Sequence, residues 1–328
     1  MSLREIEEDV VPILRQLILH PKKSIKVLEK NPLEPDTLHE IHDLVIAKEK
    51  TLPNLISLGE PFKDVLIIGD THGFMRSTIS IIRPFLEQKV QSLLFLGDYV
   101  DRGPHSLANF LLILGLRLAW PERVMILRGN HEDLNLNARF GFREELRTYY
   151  PDMQILEKVE SLIDEIYEYL SLAAITPYGT LAVHAGLPQD LETVEDINLI
   201  PKPHSALFLK FREKEQRLKY YRIFEQLRWN DPRADQEPAF TASRRGEGTF
   251  YFNETVVSEF LEHNNLARIV RAHESSRGGF ENMFQGKLLH VFSTEPYYGK
   301  VPTAYTLHEQ ENGKTIVRNL SFQPIKGI

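Results

Sequence analysis

The sequence predicts an α/β fold built on parallel strands, and three features of the chain predict it. Apolar runs at residues 65–68, 93–96 and 124–127 have the length and continuity of strands that are buried on both faces. The segments between them, at about 75–88 and 106–120, are long enough for helices. A glycine-containing polar motif follows each run. This order describes consecutive βαβ units, whose right-handed crossovers would gather the motifs at one edge of a sheet.

The polar motifs carry the chemistry of the chain. They read GDTHG at 69–73, GDYVDRG at 97–103 and RGNHE at 128–132. In open α/β sheets, ligands bind where loops leave the carboxyl ends of strands. Carboxylates, imidazoles and an amide oxygen at that edge are a ligand set for two divalent metals. The candidate residues are Asp70, His72, Asp98, Asp101, Arg102, Asn130 and His131. The pattern therefore predicts a two-metal phosphoesterase.

Together the motifs resemble those of the phosphoprotein phosphatase family of serine/threonine phosphatases, within the calcineurin-like metallophosphoesterases. Glu132, after Asn130 and His131, resembles this family more than its relatives, many of which carry Asp there. Later segments extend the resemblance over about residues 40–324: LAVHAGLP at 181–188, LRWND at 227–231, RRG at 244–246, RAH at 271–273 and STEPYYG at 293–299.

The resemblance implies the calcineurin-like metallophosphoesterase fold, in which two mixed β-sheets form a sandwich flanked by α-helices. We expect residues 51–328 to form the catalytic domain and residues 1–50 to form a helical segment that packs on it. Two helix-like stretches, at about 3–20 and 36–47, lie in that N-terminal segment. The second matches the helix that precedes the first catalytic strand in the family, whereas the first has no clear counterpart.

The resemblance also implies a ligand set for two metal ions per chain. Asp70 and His72 would hold the first ion, and Asp98 would bridge both. Asn130, His184 and His273 would complete the second site. These mixed ligands admit Mn²⁺, which we expect in vitro, and also Fe or Zn²⁺. The other histidines, His39 and His42 among them, show no ligand-like spacing.

The family pattern further implies which residues bind the phosphate group and which one protonates the leaving group. His131 is the expected general acid, kept oriented and charged by Asp101. The expected phosphate-binding residues are Arg102, Arg245, Asn130 and Tyr297. Arg244 is a near-equal rival of Arg245 on residue type alone, and the alignment of Arg-Gly favours Arg245. Phe140 occupies a position that is often Tyr, so the sequence predicts one hydroxyl fewer near the site.

Composition and charge limit which classes of partner and which cellular compartment we expect for the chain. The chain has 328 residues, of which 42% are hydrophobic and 26% charged, and this suits a globular protein with a sizeable core. No apolar run reaches the roughly 18 residues of a membrane span, so no membrane partner is expected. The acidic start lacks the order of a signal peptide, and the absence of cysteine is compatible with the cytoplasm. The formal net charge of −7 disfavours nucleic-acid binding.

The predicted reaction is hydrolysis of phosphoserine and phosphothreonine in phosphorylated proteins or peptides. The HAGLP segment leaves open a dinucleoside polyphosphate hydrolase, although RAH, STEPYYG and LRWND favour the protein phosphatase. A metallo-nuclease fits the negative charge less well. A non-catalytic scaffold with this fold should have lost a ligand or the general acid, and all are present. The sequence also leaves open regulation by separate subunits.

Residues 201–226 are longer and more charged than the matching segment of the family. Residues 207–227 mix apolar and charged side chains at helical spacing, which predicts an amphipathic surface helix. A lid or docking element beside the site is the alternative interpretation.

Overall fold

The computed structural model describes residues 11–294 without Gln236 and Arg277, together with residues 303–309 and 315–322. The helices are α1 Pro12–Leu19, α2 Pro21–Lys30, α3 Pro35–Glu49, α4 Met75–Leu86, α5 Ser106–Ala119, α6 Leu134–Phe140, α7 Phe142–Tyr149, α8 Met153–Tyr169, α9 Leu207–Lys210, α10 Lys214–Trp229 and α11 Glu254–His263. The strands are β1 Leu55–Ser57, β2 Asp64–Ile68, β3 Ser92–Phe95, β4 Val124–Ile126, β5 Ala173–Ile175, β6 Thr180–Val183, β7 Asp231–Pro232, β8 Phe240–Ala242, β9 Phe250–Phe252, β10 Arg268–Arg271, β11 Phe280–Met283, β12 Leu288–Val291, β13 Thr303–Glu309 and β14 Thr315–Ser321.

The predicted βαβ units are confirmed. Strands β2, β3 and β4 lie side by side and parallel, with Val65 opposite Ser92 and Leu93 opposite Val124. Helices α4 and α5 form the two crossovers between them. The antiparallel strands β13 and β14 extend this sheet on the β2 side, so its order is β14-β13-β2-β3-β4. The motif loops that follow β2, β3 and β4 therefore share one edge of the sheet.

A second mixed sheet packs against the first and completes the predicted sandwich. Its order is β1-β5-β6-β10-β12-β11, with β6, β10 and β12 parallel. One apolar cluster lies between the sheets and joins alternate residues of β2, such as Val65 and Ile67, to Ala182, Val270 and Leu289 of the second sheet. A smaller sheet of order β7-β9-β8 stands apart from both.

Helices cover the two outer faces. Leu66 and Ile68, which point away from the sandwich interior, belong to a large apolar cluster that includes α5 and α8 residues. The outer face of the second sheet packs against α10 and α11 through residues such as Ile223 and Val257. Among the described residues, no helix combines the length and apolar composition that crossing a bilayer requires.

The N-terminal helices pack on the outer helices of the first sheet. Buried Leu14 and Ile18 of α1 lie against α5 at Gly115, where an added Cβ would come within 3.1 Å of the Leu14 Cβ. Helix α3 packs on α8. The predicted stretch at 36–47 corresponds to α3, and the described part of the stretch at 3–20 contains α1. Helix α2 was not anticipated from the sequence.

The predicted long helix at 207–227 is two helices. Residues 211–213 separate α9 from α10, and Glu213 at the start of α10 has an extended backbone. Phe208 and Leu209 of α9 are exposed, whereas Tyr220, Ile223 and Leu227 of α10 are buried. The amphipathic character therefore belongs to α10, whose apolar side covers the second sheet.

Candidate active site

Strand ends from both sheets bring the predicted metal ligands together. Asp70, Asp98 and Asn130 follow β2, β3 and β4 of the first sheet. His184 and His273 follow β6 and β10 of the second. All of these side chains are buried. The sandwich therefore builds one site from residues that are about 200 positions apart in the chain, because its two sheets present their motif loops at the same edge.

The loops at this edge carry an unusual concentration of left-handed backbone. The φ angles of His72, Asp98, Asp101, Arg102 and His273 lie between 44° and 72°. Such a conformation costs a non-glycine residue about 1–2 kcal/mol. Strain of this kind persists where the surrounding structure enforces it and is common at functional sites. Here the sharp turns aim the side chains inward.

Close packing of two motif glycines keeps the loops together. A Cβ added to Gly97 would lie 2.4 Å from the Gly129 nitrogen, and one added to Gly129 would lie 2.3 Å from Asp98 Oδ1. Any larger residue at either position would push the second and third motifs apart. Gly97, with a φ of 112°, is therefore required by turn geometry and by proximity, and Gly129 is required by proximity.

Asp98 lies between two groups of candidate ligands. Its Oδ2 lies 3.7 Å from His72 Nε2, and its Oδ1 lies 3.3 Å from His184 Nε2. Each imidazole is fixed through its other nitrogen, since Nδ1 of His72 bonds the Val100 carbonyl and Nδ1 of His184 bonds the Leu96 carbonyl, both at 2.9 Å. Backbone carbonyls orient metal-binding histidines in this way.

Asp70 lies in the group of candidate ligands that contains His72, and His273 lies in the group that contains His184. Asp70 Oδ2 lies 3.7 Å from His72 Nε2, and Asp70 Oδ1 accepts the His273 backbone N–H at 2.9 Å. Nε2 of His184 lies 3.0 Å from Asn130 Oδ1 and 3.1 Å from His273 Nδ1. In the described part of the chain, the ligand atoms of His72, Asp98 and His131 lie within 4.8 Å of one another, as do those of Asp98, His184 and His273.

The electrostatics of this cluster suit bound cations. Burial raises the pKa of Asp70 to about 6, and burial with the charges of Asp70 and Glu132 raises the pKa of Asp98 well above its usual value. Burial lowers the pKa of His184 and His273, so both are neutral near pH 7. Within the described residues, Nε2 of His273 is buried without a hydrogen-bond partner. Neutral imidazoles are the metal-binding form, and the raised pKa values of the two carboxyl groups show that a nearby cation would stabilise their ionised form, so the residues fit two divalent ions.

His131 and Asp101 form a buried pair beside the cluster. Nδ1 of His131 lies 2.7 Å from Asp101 Oδ2. The other Asp101 oxygen accepts the Phe142 backbone N–H at 3.1 Å, and Asn137 Nδ2 donates to Oδ2 at 2.9 Å. Burial lowers the pKa of His131, and the hydrogen bond to Asp101 opposes that shift. The pair has the geometry of an oriented acid–base catalyst.

Both predicted phosphate-binding arginines line the same cavity as the candidate metal ligands. The cavity measures about 450 Å³, and Arg102, Arg245, Asn130 and His131 are among its walls. Arg102 Nη2 lies 3.2 Å from His131 Nε2. Arg244 is not among the residues that line the cavity. Tyr297 lies outside the described residues.

Arg245 is held in place by an ion pair with Asp231, which also bonds Arg271. Arg245 Nε donates to Asp231 Oδ2 at 2.5 Å, and the fully buried Arg271 donates to Asp231 Oδ1 at 2.6 Å. Burial favours the neutral acid at Asp231, but the two arginines outweigh it and lower the pKa of this carboxyl. Asp231 of the LRWND segment and Arg271 of the RAH segment therefore position Arg245 in the cavity.

Sequence reasoning missed the structural role of Glu132. Its carboxylate accepts the backbone N–H groups of Asp98, Tyr99 and Gly129 at 2.8–2.9 Å. It thereby ties the second motif to the third. In the sequence, Glu132 has only its resemblance to the family and its acidic type next to a ligand motif as signals. Arg139, which also lines the cavity, gave no sequence signal.

Comparison with known proteins agrees with the motifs and the fold. Residues 63–276 match the family model described as calcineurin-like phosphoesterase. The chain is 31% identical over 257 residues to the serine/threonine-protein phosphatase 4 catalytic subunit of Eremothecium gossypii, covering 78% of this chain and 77% of the relative. It is 32% identical over 254 residues to the subunit of the same name from Saccharomyces cerevisiae, covering 77% and 76%.

A solved structure supports the fold. It is a Saccharomyces cerevisiae protein serine/threonine phosphatase described as similar to human phosphatase PP5, and it matches with a TM-score of 0.76 and 24% identity over 95% of this chain and 96% of that one. Together, the family model over most of the fold and the curated relatives over three quarters of the chain establish the family. The chain belongs to the calcineurin-like phosphoesterases and, within them, to the phosphoprotein phosphatase family of serine/threonine phosphatases.

Proposed function

We propose that this protein hydrolyses phosphoserine and phosphothreonine in protein substrates, in a cavity that combines two metal sites, an acid and arginines. The observation that carries the proposal is the placement of Asp98 between two ligand groups that open into an arginine-lined cavity. The curated relatives are serine/threonine protein phosphatases. They do not favour the dinucleoside polyphosphate hydrolase or a scaffold without activity.

The first ion would be held by Asp70, His72 and Asp98. The second would be held by Asp98, Asn130, His184 and His273. Bound divalent ions make a water molecule more acidic and neutralise the charge of phosphoryl oxygens. We propose Mn²⁺ as the ion that supports activity in vitro, with Fe and Zn²⁺ as the alternatives that these mixed oxygen and nitrogen ligands accept.

His131 is the proposed proton donor to the leaving group. When the oxygen of water forms a bond to phosphorus, the bond to the serine or threonine oxygen breaks, and that oxygen takes the proton from His131 Nε2. One proton of the attacking water then leaves the phosphate product and restores the imidazolium of His131. Asp101 accepts a hydrogen bond from Nδ1 at 2.7 Å and favours the charged imidazolium that must donate. This support opposes the effect of burial on the same ring.

Arg102 and Arg245 are the proposed clamps of the phosphate group. The position of Arg102 Nη2, 3.2 Å from His131 Nε2, would bring a bound phosphate next to the acid. A guanidinium donates two parallel hydrogen bonds to phosphate, and an ammonium cannot. We assign further donors to Asn130 and to the hydroxyl of Tyr297.

Domain organisation, partners and compartment extend the proposal. We propose residues 51–328 as the catalytic domain, with residues 1–50 packed on it as a helical segment. The relatives bear the name of a catalytic subunit. We infer that this chain likewise binds regulatory subunits, and that it acts in the cytoplasm on phosphorylated proteins.

The substrate class is tested by comparing three compounds with protein loaded with Mn²⁺. A phosphothreonine peptide, a phosphotyrosine peptide and diadenosine tetraphosphate are supplied at equal concentration, and the products are quantified. We expect the phosphothreonine peptide to have the highest kcat/KM. Faster cleavage of diadenosine tetraphosphate than of either peptide would overturn the assignment of substrate.

A further inference from the structure

A second group of metal-binding side chains lies on helix α3. His39, His42 and Asp43 offer ligand atoms that all lie within 4.8 Å of one another. His39 precedes His42 by three residues and Asp43 by four, so it is a neighbour of both on the helix surface. None of them lines the catalytic cavity. The group is therefore separate from the site described above.

His42 is held in a fixed orientation by a residue of another helix. Its Nε2 lies 3.0 Å from Oε2 of Glu165, on α8. Its Nδ1 lies 2.9 Å from Asp43 Oδ1. The ring is buried, with 8% of the side chain exposed. If Nε2 carries the proton and donates it to Glu165, the lone pair of Nδ1 faces His39 and Asp43.

The distances suit a small tetrahedral ion after slight side-chain rotation. Ligand atoms that are about 2.0–2.1 Å from a tetrahedral zinc lie about 3.3 Å apart. Here Asp43 Oδ1 is 2.9 Å from His42 Nδ1 and 3.7 Å from His39 Nε2. The side chains of His39 and Asp43 are 51% and 67% exposed, so both are free to adjust. A water molecule would supply the fourth ligand.

The ligand types of His39, His42 and Asp43 indicate which class of metal ion they would bind. Two imidazoles and one carboxylate favour borderline transition metals over Mg²⁺ or Ca²⁺, which prefer sites made of oxygen. The charges of Asp43 and Glu165 together match a divalent ion. A carboxylate that orients a metal-bound histidine is a recurrent feature of zinc sites.

We propose that His39, His42 and Asp43 bind one Zn²⁺ or similar transition-metal ion, and that Glu165 positions His42 for it. Because His42 is bound to α8 through Glu165, the ion also strengthens the contact between α3 and α8. The proposal concerns a site outside the catalytic cluster and does not depend on the function of that cluster.

Zinc binding to the full chain tests the proposal. The wild type and the His39→Ala, Asp43→Asn and Glu165→Gln variants are loaded with Mn²⁺ and dialysed against a series of Zn²⁺ concentrations, so that both the amount and the affinity of bound zinc are obtained. Bound zinc is then measured per chain. His263→Ala is the matched control, because it removes an exposed histidine from the last turn of α11. Subtraction between variants removes any zinc that enters the catalytic site.

We expect the wild type and His263→Ala to bind one zinc per chain more than His39→Ala and Asp43→Asn. Glu165→Gln should bind that zinc 10–100-fold more weakly, which is the usual effect of losing an orienting partner. Zinc should raise the Tm of the wild type but raise that of His39→Ala less. Phosphatase activity of His39→Ala with Mn²⁺ should remain at the wild-type level.

Either of two results would overturn the proposal. Equal zinc content in the wild type, His39→Ala and Asp43→Asn would show that the α3 group binds no zinc. Unchanged zinc affinity in Glu165→Gln would show that Glu165 does not position His42. Circular dichroism establishes that each variant is folded, and the exposed positions of His39 and Asp43 favour folding in both of those variants.

Discussion

His131 Nδ1 lies 2.7 Å from Asp101 Oδ2, and these side chains are 3% and 0% exposed. The contact fixes which ring nitrogen faces the cavity, because the hydrogen bond to Asp101 occupies Nδ1. Nε2 then points towards Arg102. The pair therefore sets the direction of the ring, and the hydrogen bond to Asp101 opposes the lowering of the His131 pKa by burial.

Replacement of His131 by Ala should lower kcat about 10²–10⁴-fold, which is the usual contribution of a general acid. The metal content should remain at two ions per chain, because the proposed ligand set is intact. Phosphate release and metal content are measured on the same preparation. Loss of one metal ion in His131→Ala would contradict the assignment and would make His131 a ligand, as its proximity to His72 and Asp98 also allows.

Replacement of Glu132 by Gln should weaken metal binding about 10–100-fold. The carboxylate accepts three backbone N–H groups of the ligand loops, and the amide NH₂ of Gln cannot replace an accepting oxygen. Metal affinity is measured by competition with a chelator. Glu144→Gln, on the first turn of α7, is a control for the same chemical change at an exposed position. Equal affinities in the two variants would refute the role of Glu132.

Arg245→Lys should lower kcat/KM about tenfold or more, because a single ammonium replaces a guanidinium that is held in place by Asp231. Arg244→Lys is the matched control next to it and should remain within about twofold of the wild type, since Arg244 does not line the cavity. Steady-state kinetics on a phosphothreonine peptide compare the two. A larger loss in Arg244→Lys would reverse the choice between these neighbours.

Glu145 should make stability depend on pH. Its carboxylate accepts the N–H groups of Ser106 and Leu107 at the start of α5, and burial raises its pKa from 4.5 to about 7. A raised pKa in the folded state means that the folded protein binds the extra proton, so this stability is lost as pH rises from about 4.5 through 7. A shift of this size corresponds to about 3 kcal/mol.

Glu145→Gln removes this titration. The free energy of unfolding of the wild type, relative to that of the variant, should therefore fall by up to about 3 kcal/mol between pH 4.5 and pH 8. Chemical denaturation at a series of pH values measures the difference. A difference that stays constant over this range would contradict the raised pKa of Glu145.

The sequence predicts the convergence of the motif loops because each motif is local. An apolar run, a glycine and a short polar motif specify a buried strand and the turn that follows it, and such turns at Asp70 and Asp98 require no distant partner to be recognised. The ion pair between Asp231 and Arg271 has no such signal, because the two residues are 40 positions apart and meet only in the folded chain.

The contact between His42 on α3 and Glu165 on α8 likewise has no local signal, because 123 residues separate the two. The break between α9 and α10 is also invisible to periodicity, since the residues on both sides of it keep helical spacing. Contacts between distant elements, rather than local preferences, decide these features.

Phosphate release from a phosphothreonine peptide by metal-stripped protein, before and after addition of Mn²⁺, tests the central claim most directly. Metal content is measured in the same samples. We predict no release from stripped protein and full release once two ions per chain are bound. Release that is equal with and without metal, or no release from folded protein that holds two ions, would contradict a metal-dependent protein phosphatase.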